Sequence, residues 1–413
     1  MTANLQCINC EKTYNINELI YHCGCGGLIQ VNHSKETFAE FSDKKSLFDE
    51  RSAQYEPINR SGVWRFRELI LPGVKKIITH PEGNTNLYHR EQLSDFANHE
   101  NLFFKHEGEN PTGSFKDRGM TVAITQAVNL KKEYVGCAST GNTSAALAAY
   151  AGQAGLKGVV FLPAGKVATG KLTQSLGYGA KVLAVRGDFD AAMHLVREAA
   201  EKLGIYMVNS LNPFRLEGQK SIIWEIFQNR SWQAPDWIVV PGGNLGNTSA
   251  FGKAIHEAFE MGWINKKPKI ATIQAKGANP FKLSYDNGFE SLTPVSADTL
   301  ATAIRIGNPV NFDKAKMAIN NTEGIVIDVT DDDILAAKRE IDRCGVGCEP
   351  ASACSLAGVK ILVEKNIIKK EESVVGILTG HILKDPEVLL KKQNLESEVI
   401  EIDPIISEVE KHL

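Results

Sequence analysis

The chain predicts an α/β fold of two domains, with parallel-rich open sheets covered by helices on both faces. Three observations carry that expectation. From about residue 100, short β-branched or aromatic runs alternate with longer helical patterns, the order that parallel strands with crossover helices produce. The loops just after those strand-like runs hold the unusual residues, which is where open α/β sheets place their chemistry. At 413 residues the chain exceeds one ordinary hydrophobic core, so two domains sharing a cleft are expected.

The elements follow in order. "NLFFKHE" reads as a strand, and Phe115 to Lys132 as a helix. "EYVGCAS" precedes "TSAALAAYAGQAG", whose alanines favour helix. The pairing continues with "GVVFLP" before a helix near Lys171, and "AKVLAVR" before "DAAMHLVREAAEKLG". It ends with "IYMVNS" before "LEGQKSIIWEIFQN", "DWIVVP" before "TSAFGKAIHEAFE", and a late strand "SVVGI". The loops between them read "GENPTGS", "STGN", "NSLNPF", "GGNLGN" and "LTGH", all rich in Gly, Asn, Ser and Thr.

Composition narrows the function classes. With 43% hydrophobic and 23% charged residues the chain belongs with soluble globular proteins. No apolar run reaches the ~18 residues of a spanning helix, and the N-terminus lacks a basic patch followed by an apolar stretch, so a cytoplasmic protein is expected. A formal net charge of -3 gives no basic footprint for nucleic acid, which leaves small molecules as the expected partners. Cys137, Cys344, Cys348 and Cys354 lie scattered in helical or strand-like stretches and read as structural thiols.

Several stretches carry chemistry. In "GENPTGSFKDRGM", Pro111 and Gly113 turn the chain, and Ser114 with Asp117 matches a capping box that starts a helix at Phe115. Lys116 is then the second helical residue, where unpaired N–H groups and the helix dipole should lower its pKa. A lysine neutralised so easily is a nucleophile for carbonyl carbon; the ordinary alternative is a solvated surface lysine. "PGGNLGN", Pro241 to Asn247, follows a strand and opens a helix, so its glycines and N–H groups suit a phosphate. The dinucleotide spacing of glycines is absent. "GKVATGKL", Gly165 to Leu172, nearly spells a nucleotide-binding loop, but Leu172 stands where a hydroxyl should hold magnesium. At the N-terminus, Cys7, Cys10, Cys23 and Cys25 could bring four thiolates to one structural zinc in a small ribbon. His22 could replace one of them, and a metal-free remnant is the alternative.

Six stretches, "NPTGSFKDRG", "STGNTSAA", "NSLNPFRLEGQK", "GGNLGN", "ATAIRIGNP" and "LTGHILKDP", together resemble the threonine synthases, in the fold type II (tryptophan synthase β-like) class of pyridoxal-phosphate enzymes. "SGVWRFRELILP" is similar too, and the resemblance runs from about residue 5 to 390. It implies a Cys-rich segment over 1–34, a large domain over 51–130 and 215–413, and a smaller inserted domain over 131–214. It also implies that Lys116 is the covalent anchor of pyridoxal 5'-phosphate and the acid/base of the reaction. Asn142 would face the cofactor's 3'-oxygen, and Thr379 its pyridine nitrogen. Gly243, Asn244, Leu245, Gly246 and Asn247 would hold its phosphate. Ser139, Thr143, Asn209, Ser210, Arg215 and Asn247 would surround the substrate, O-phosphohomoserine. Arg305 is assigned equally to substrate or to a domain junction.

The implied reaction turns O-phospho-L-homoserine and water into L-threonine and phosphate by γ-elimination and β-hydration, in a homodimer. A serine or threonine dehydratase or β-replacement enzyme of the same fold is the enzymatic rival. A binding protein that keeps the pocket without chemistry is the other. One departure stands out: "PEGNTNLYH" has Asn86 where the resembling family commonly has proline.

Overall fold

The computed structural model describes residues 3–165, 169–187, 189–386, 400–404 and 406–412. Its strands form three sheets. An N-terminal antiparallel ribbon joins β1 (Ala3–Cys7), β2 (Thr13–Tyr14) and β3 (Ile29–His33) in the order β2-β1-β3. A six-stranded sheet is built from β4 (Leu87–Tyr88), β5 (Leu102–His106), β10 (Trp237–Pro241), β11 (Lys269–Ala275), β12 (Ile325–Val329) and β13 (Val374–Leu378). Their order is β12-β11-β10-β13-β5-β4, parallel except for the edge strand β4. A four-stranded, wholly parallel sheet takes β6 (Tyr134–Ala138), β7 (Lys157–Pro163), β8 (Lys181–Val185) and β9 (Tyr206–Met207) in the order β8-β7-β6-β9.

Every strand expected from residue 100 onward is present, while β11 and β12 were not foreseen. β10 and β13 are buried at every position, as strands covered on both faces should be. β8, at the edge of the small sheet, is half exposed to exposed instead. Of the near-match at Gly165 to Leu172, residues 166–168 lie outside the described residues.

The ribbon is no free appendage. Leu5, Ile29 and Val31 share one apolar core with Phe214, Ile222 and Phe251 of the larger body. A buried ion cluster reinforces the joint: His33 Nε2 lies 3.1 Å from Glu217, and Lys220 bridges Glu217 at 2.5 Å and Glu257 at 2.8 Å.

Two helices position the site. The Lys116–Asn129 helix and the Pro213–Asn229 helix cross at Gly119 and Gly218. A Cβ on Gly218 would lie 1.7 Å from the Arg118 carbonyl oxygen, and one on Gly119 2.7 Å from the Arg215 carbonyl oxygen. Only glycines permit this approach, which brings Arg215 and Gln219 against the helix that carries Lys116. Gly218→Ala should therefore destabilise the fold by at least about 3 kcal/mol, at or beyond the top of the usual overpacking range because backbone must move. The midpoint of urea unfolding reports it.

Candidate active site

The helix that carries Lys116 starts one residue later than the capping pattern implied, with Lys116 itself first and Phe115 as the flanking residue. The expected capping box does not form. Asp117 turns back to accept from the Thr112 N–H at 2.7 Å and the Thr112 hydroxyl at 2.6 Å, so its carboxylate fixes the preceding turn. The loop is also stitched to the end of β13. The Phe115 N–H donates to the Thr379 carbonyl at 3.0 Å, and the His381 N–H to the Gly113 carbonyl at 2.9 Å.

Lys116 opens into a cavity of about 550 Å³ between the two parallel sheets. Its wall gathers the loops "STGN", "NSL", "GGNLGN" and "LTG" that follow β6, β9, β10 and β13. Thus Ser139, Asn142, Thr143, Asn209, Ser210, Thr379 and Gly243 to Asn247, far apart in the chain, meet around one amine. Arg305 lines the same cavity.

The Lys116 pKa is lowered to about 7. Burial is the main cause, repulsion from the Arg215 guanidinium the next, and Glu349 opposes both. The sequence argument had the direction right and the cause wrong, since loss of water rather than the helix terminus depresses it. Covalent labelling of the cofactor-free protein by an amine-selective reagent should therefore rise with a midpoint near pH 7 at Lys116, as the neutral amine appears above its pKa. Exposed lysines should respond only near pH ~10. Peptide mass mapping across pH separates the two.

Glycines at the start of the Gly246–Glu260 helix line the same cavity. Leu245 takes a left-handed φ of 62° to begin that helix, and a Cβ on Gly242 would strike Thr272 at 2.5 Å. Among the described residues, no N–H from Gly243 to Asn247 donates to a backbone carbonyl. Neighbours fix the loop from outside: the Asn244 Oδ1 accepts from the Val310 N–H at 3.0 Å, and the Asn247 Oδ1 from Gln219 at 2.7 Å. A run of undonated N–H groups at a helix N-terminus fits a phosphate monoester, and the low-pKa amine in the same cavity fits an aldehyde on the same ligand.

The remaining expected residues fall into two groups. Asn209 is structural in part: its amide exchanges hydrogen bonds with the Ala138 backbone at 3.1 and 3.0 Å. Arg215 lies behind the wall, buried, donating to the Val208 carbonyl at 2.8 Å, with its Nε unpartnered. Its burial excludes the ordinary surface salt bridge, and desolvation lowers its pKa to about 10. The unexpected member is Glu349. It lines the cavity, accepts from the Asn142 amide at 2.9 Å and from the Thr379 hydroxyl at 3.0 Å. The only sequence signal was "CEPASA", a glutamate before a helix-starting proline, which resembles any helix entry.

At the N-terminus the four cysteine sulfurs meet within 4.8 Å of one another, with 3.5 Å for the Cys7–Cys25, Cys10–Cys23 and Cys10–Cys25 pairs. His22, weighed above as a substitute ligand, is not part of this cluster among the described residues. The Asn86 departure also has a physical account. Its N–H donates to Glu109 at 2.7 Å, a bond that proline could not make.

Comparison with known proteins agrees with this geometry. Residues 78–380 match the family model described as pyridoxal-phosphate dependent enzyme. Among solved structures, maize serine racemase superposes with a TM-score of 0.67 at 21% identity, covering 82% of this chain and 97% of its own. Threonine deaminase isoform 2 of Solanum lycopersicum gives 0.66 at 22% identity, covering 85% and 89%. At that identity these two speak to the fold alone. The chain belongs to the pyridoxal-phosphate-dependent enzymes.

Within that family, relatives 40–47% identical to it are named threonine synthases. The Methanocaldococcus jannaschii protein of that name is 47% identical over 94% of both chains, and the Methanosarcina acetivorans one 45% identical over 94% of this chain and 93% of its own. The chloroplastic threonine synthase 2 of Arabidopsis thaliana is 40% identical over 90% of this chain and 75% of its own.

Proposed function

We propose that this protein is a threonine synthase that takes O-phospho-L-homoserine and water to L-threonine and phosphate. The observation that carries the proposal is the Lys116 amine, with its pKa lowered to about 7, sharing one cavity with a glycine-rich helix start, in a chain 47% identical to a threonine synthase. Bound there, pyridoxal 5'-phosphate supplies an electron sink for charge on the substrate carbons.

The chain's own residues do the rest. Gly243, Asn244, Leu245, Gly246 and Asn247 hold the cofactor phosphate through undonated N–H groups, Asn142 faces its 3'-oxygen, and Thr379 its ring nitrogen. Lys116, with a pKa near the working pH, anchors the cofactor and then moves protons at the α and β carbons of the substrate. Ser139, Thr143, Ser210, Asn209 and Asn247 orient the substrate. Arg215, buried behind the cavity wall with no carboxylate in ion-pair contact among the described residues, adds positive potential on the side of the leaving phosphate. Water then adds at the β carbon.

Phosphate release from O-phosphohomoserine, set beside keto-acid release from threonine, tests the assignment. A preference for the second substrate would make the protein a dehydratase of the same fold.

We further propose that Cys7, Cys10, Cys23 and Cys25 bind one zinc ion. A tetrahedral zinc with bonds of about 2.3 Å separates its sulfurs by about 3.8 Å, close to the 3.5 Å contacts of this cluster. Fewer than one zinc for every two chains after chelator-free purification would remove the idea. We also read residues 51–130 with 215–413 as the large domain and 131–214 as the inserted one, in a cytoplasmic homodimer. No helix among the described residues is long and apolar enough to cross a membrane.

A further inference from the structure

We propose that Glu349 is a positioning residue that sets the direction of the Thr379 hydroxyl, and so decides whether Thr379 donates to, or accepts from, the ring nitrogen of the bound cofactor. The proposal rests on the reading above that Thr379 faces that nitrogen.

Glu349 lines the cavity and is held by named neighbours on its protein side. Glu349 flanks the start of the Pro350–Glu364 helix, and its N–H donates to the Gly380 carbonyl at 3.0 Å. A Cβ on Gly380 would lie 2.5 to 2.8 Å from the carboxyl atoms, so the acid is clamped by a glycine at the end of "LTG". One oxygen faces the Asn142 amide at 2.9 Å, and the other faces the Thr379 hydroxyl at 3.0 Å. Among the described residues the Thr379 hydroxyl has one further hydrogen-bond partner, the Ser352 hydroxyl at 3.0 Å, which accepts from the Gly380 N–H at 3.0 Å and can donate to the Gly380 carbonyl at 3.4 Å.

Proton counting gives the consequence. An amide N–H can only donate, so the Glu349 oxygen opposite Asn142 must accept in either ionisation state. When Glu349 is ionised, Thr379 gives its single proton to the carboxylate and offers only a lone pair to the ring, which suits a protonated nitrogen. When Glu349 is neutral, its proton must sit on the oxygen facing Thr379. Thr379 then accepts from Glu349, and its own proton, released from the carboxyl, turns to an unprotonated ring nitrogen, with the Ser352 hydroxyl as its one competing acceptor among the described residues.

The charged and titratable groups facing Glu349 are Lys116 and Lys384, with Cys348 preceding it; the polar ones are Asn142, Thr379 and Ser352. Burial raises the Glu349 pKa above the ordinary carboxylate value, against the pull of Asn142, Thr379 and the two lysines. Both states therefore lie closer to neutral pH than for an exposed glutamate.

The test uses substrate-free holoenzyme loaded with cofactor labelled with nitrogen-15 in the ring. Nitrogen NMR is recorded from about pH 5 to 9 for wild type, Glu349→Gln and Thr379→Ser, a range chosen around the usual titration of a raised carboxyl. The ring resonance of wild type should move between its protonated and neutral positions. It should stay fixed in Glu349→Gln and move again in Thr379→Ser, which retains the hydroxyl. A resonance that titrates in Glu349→Gln as in wild type, or one fixed in both, overturns the proposal. Should Glu349→Gln fail to load, Thr379→Val provides the same arm, and a surviving transition there overturns it equally. Absence of any bound resonance in wild type would instead sink the cofactor reading beneath it.

Discussion

Replacing Lys116 by alanine should lower phosphate release from O-phosphohomoserine by at least about 10³-fold, in line with what a positioned proton carrier and covalent anchor contribute together. Borohydride treatment of cofactor-loaded protein should fix a pyridoxyl label on the Lys116 peptide of wild type and on no peptide of the variant. Stability should move the other way. The unfolded chain keeps this proton up to about pH 10, whereas the native chain gives it up near pH 7. In cofactor-free protein the native state thus binds fewer protons in that window, and wild-type stability gains as pH rises through it. Lys116→Ala should lose this slope and be as stable as wild type, or more so, below pH 7, where the native lysine carries a charge in a dry site. A variant that is both inactive and strongly unfolded would point to a structural lysine.

Two residues further along the same helix, Arg118→Met should destabilise the protein by about 3–5 kcal/mol, the range seen when one partner of a buried ion pair is removed. Arg118 is fully buried and doubly bidentate. Its guanidinium reaches Glu107 at 2.6 Å through both Nε and Nη2, and Glu225 at 3.0 and 3.1 Å. Lys105 closes on Glu225 at 2.6 Å and Arg65 at 3.6 Å, while the Asn84 and Thr85 N–H groups donate to the same carboxylate at 2.9 Å. Methionine fills the volume but leaves Glu107 without its cation.

Lysine at Arg118 should fare little better, because an ammonium cannot serve two carboxylates in bidentate fashion. Urea unfolding of both variants checks this. Glu225 predicts the acid limb as well. Burial raises its pKa, but Arg118, Lys105 and Arg65 outweigh that and hold it well below the usual carboxylate range. Its contribution is complete above the unfolded carboxyl pKa and disappears only as pH falls through the depressed native value. Arg118→Met should therefore unfold at a higher pH than wild type.

Much of this was legible because it is local. Strands β5 to β10 and β13, with their following helices, show in the alternation of apolar runs, and the site loops show as Gly and Asn clusters where strands end. β11 and β12 were less visible. "KIATIQA" and "IVIDV" are short apolar runs, which carry no periodicity that separates strand from buried helix. The capping box at Ser114 misled because Asp117 had a better partner in Thr112, one turn back. The Cys-rich ribbon was visible as a motif, but not its burial against the Pro213–Asn229 helix, which depends on His33 meeting Glu217 some 184 residues away.

The chain's order of residues was enough to specify the parallel architecture, the lysine at the start of its helix, the glycine-rich loop after β10 and the family, because each is written in a contiguous stretch whose spacing has a direct physical meaning. Three features were decided only when distant stretches were brought together: the cause of the low Lys116 pKa, the concealment of Arg215, and the bridge that Glu349 makes between Asn142 and Thr379. The reason is that desolvation and proton sharing depend on what surrounds a group in space, and a linear order fixes only what stands beside it along the backbone.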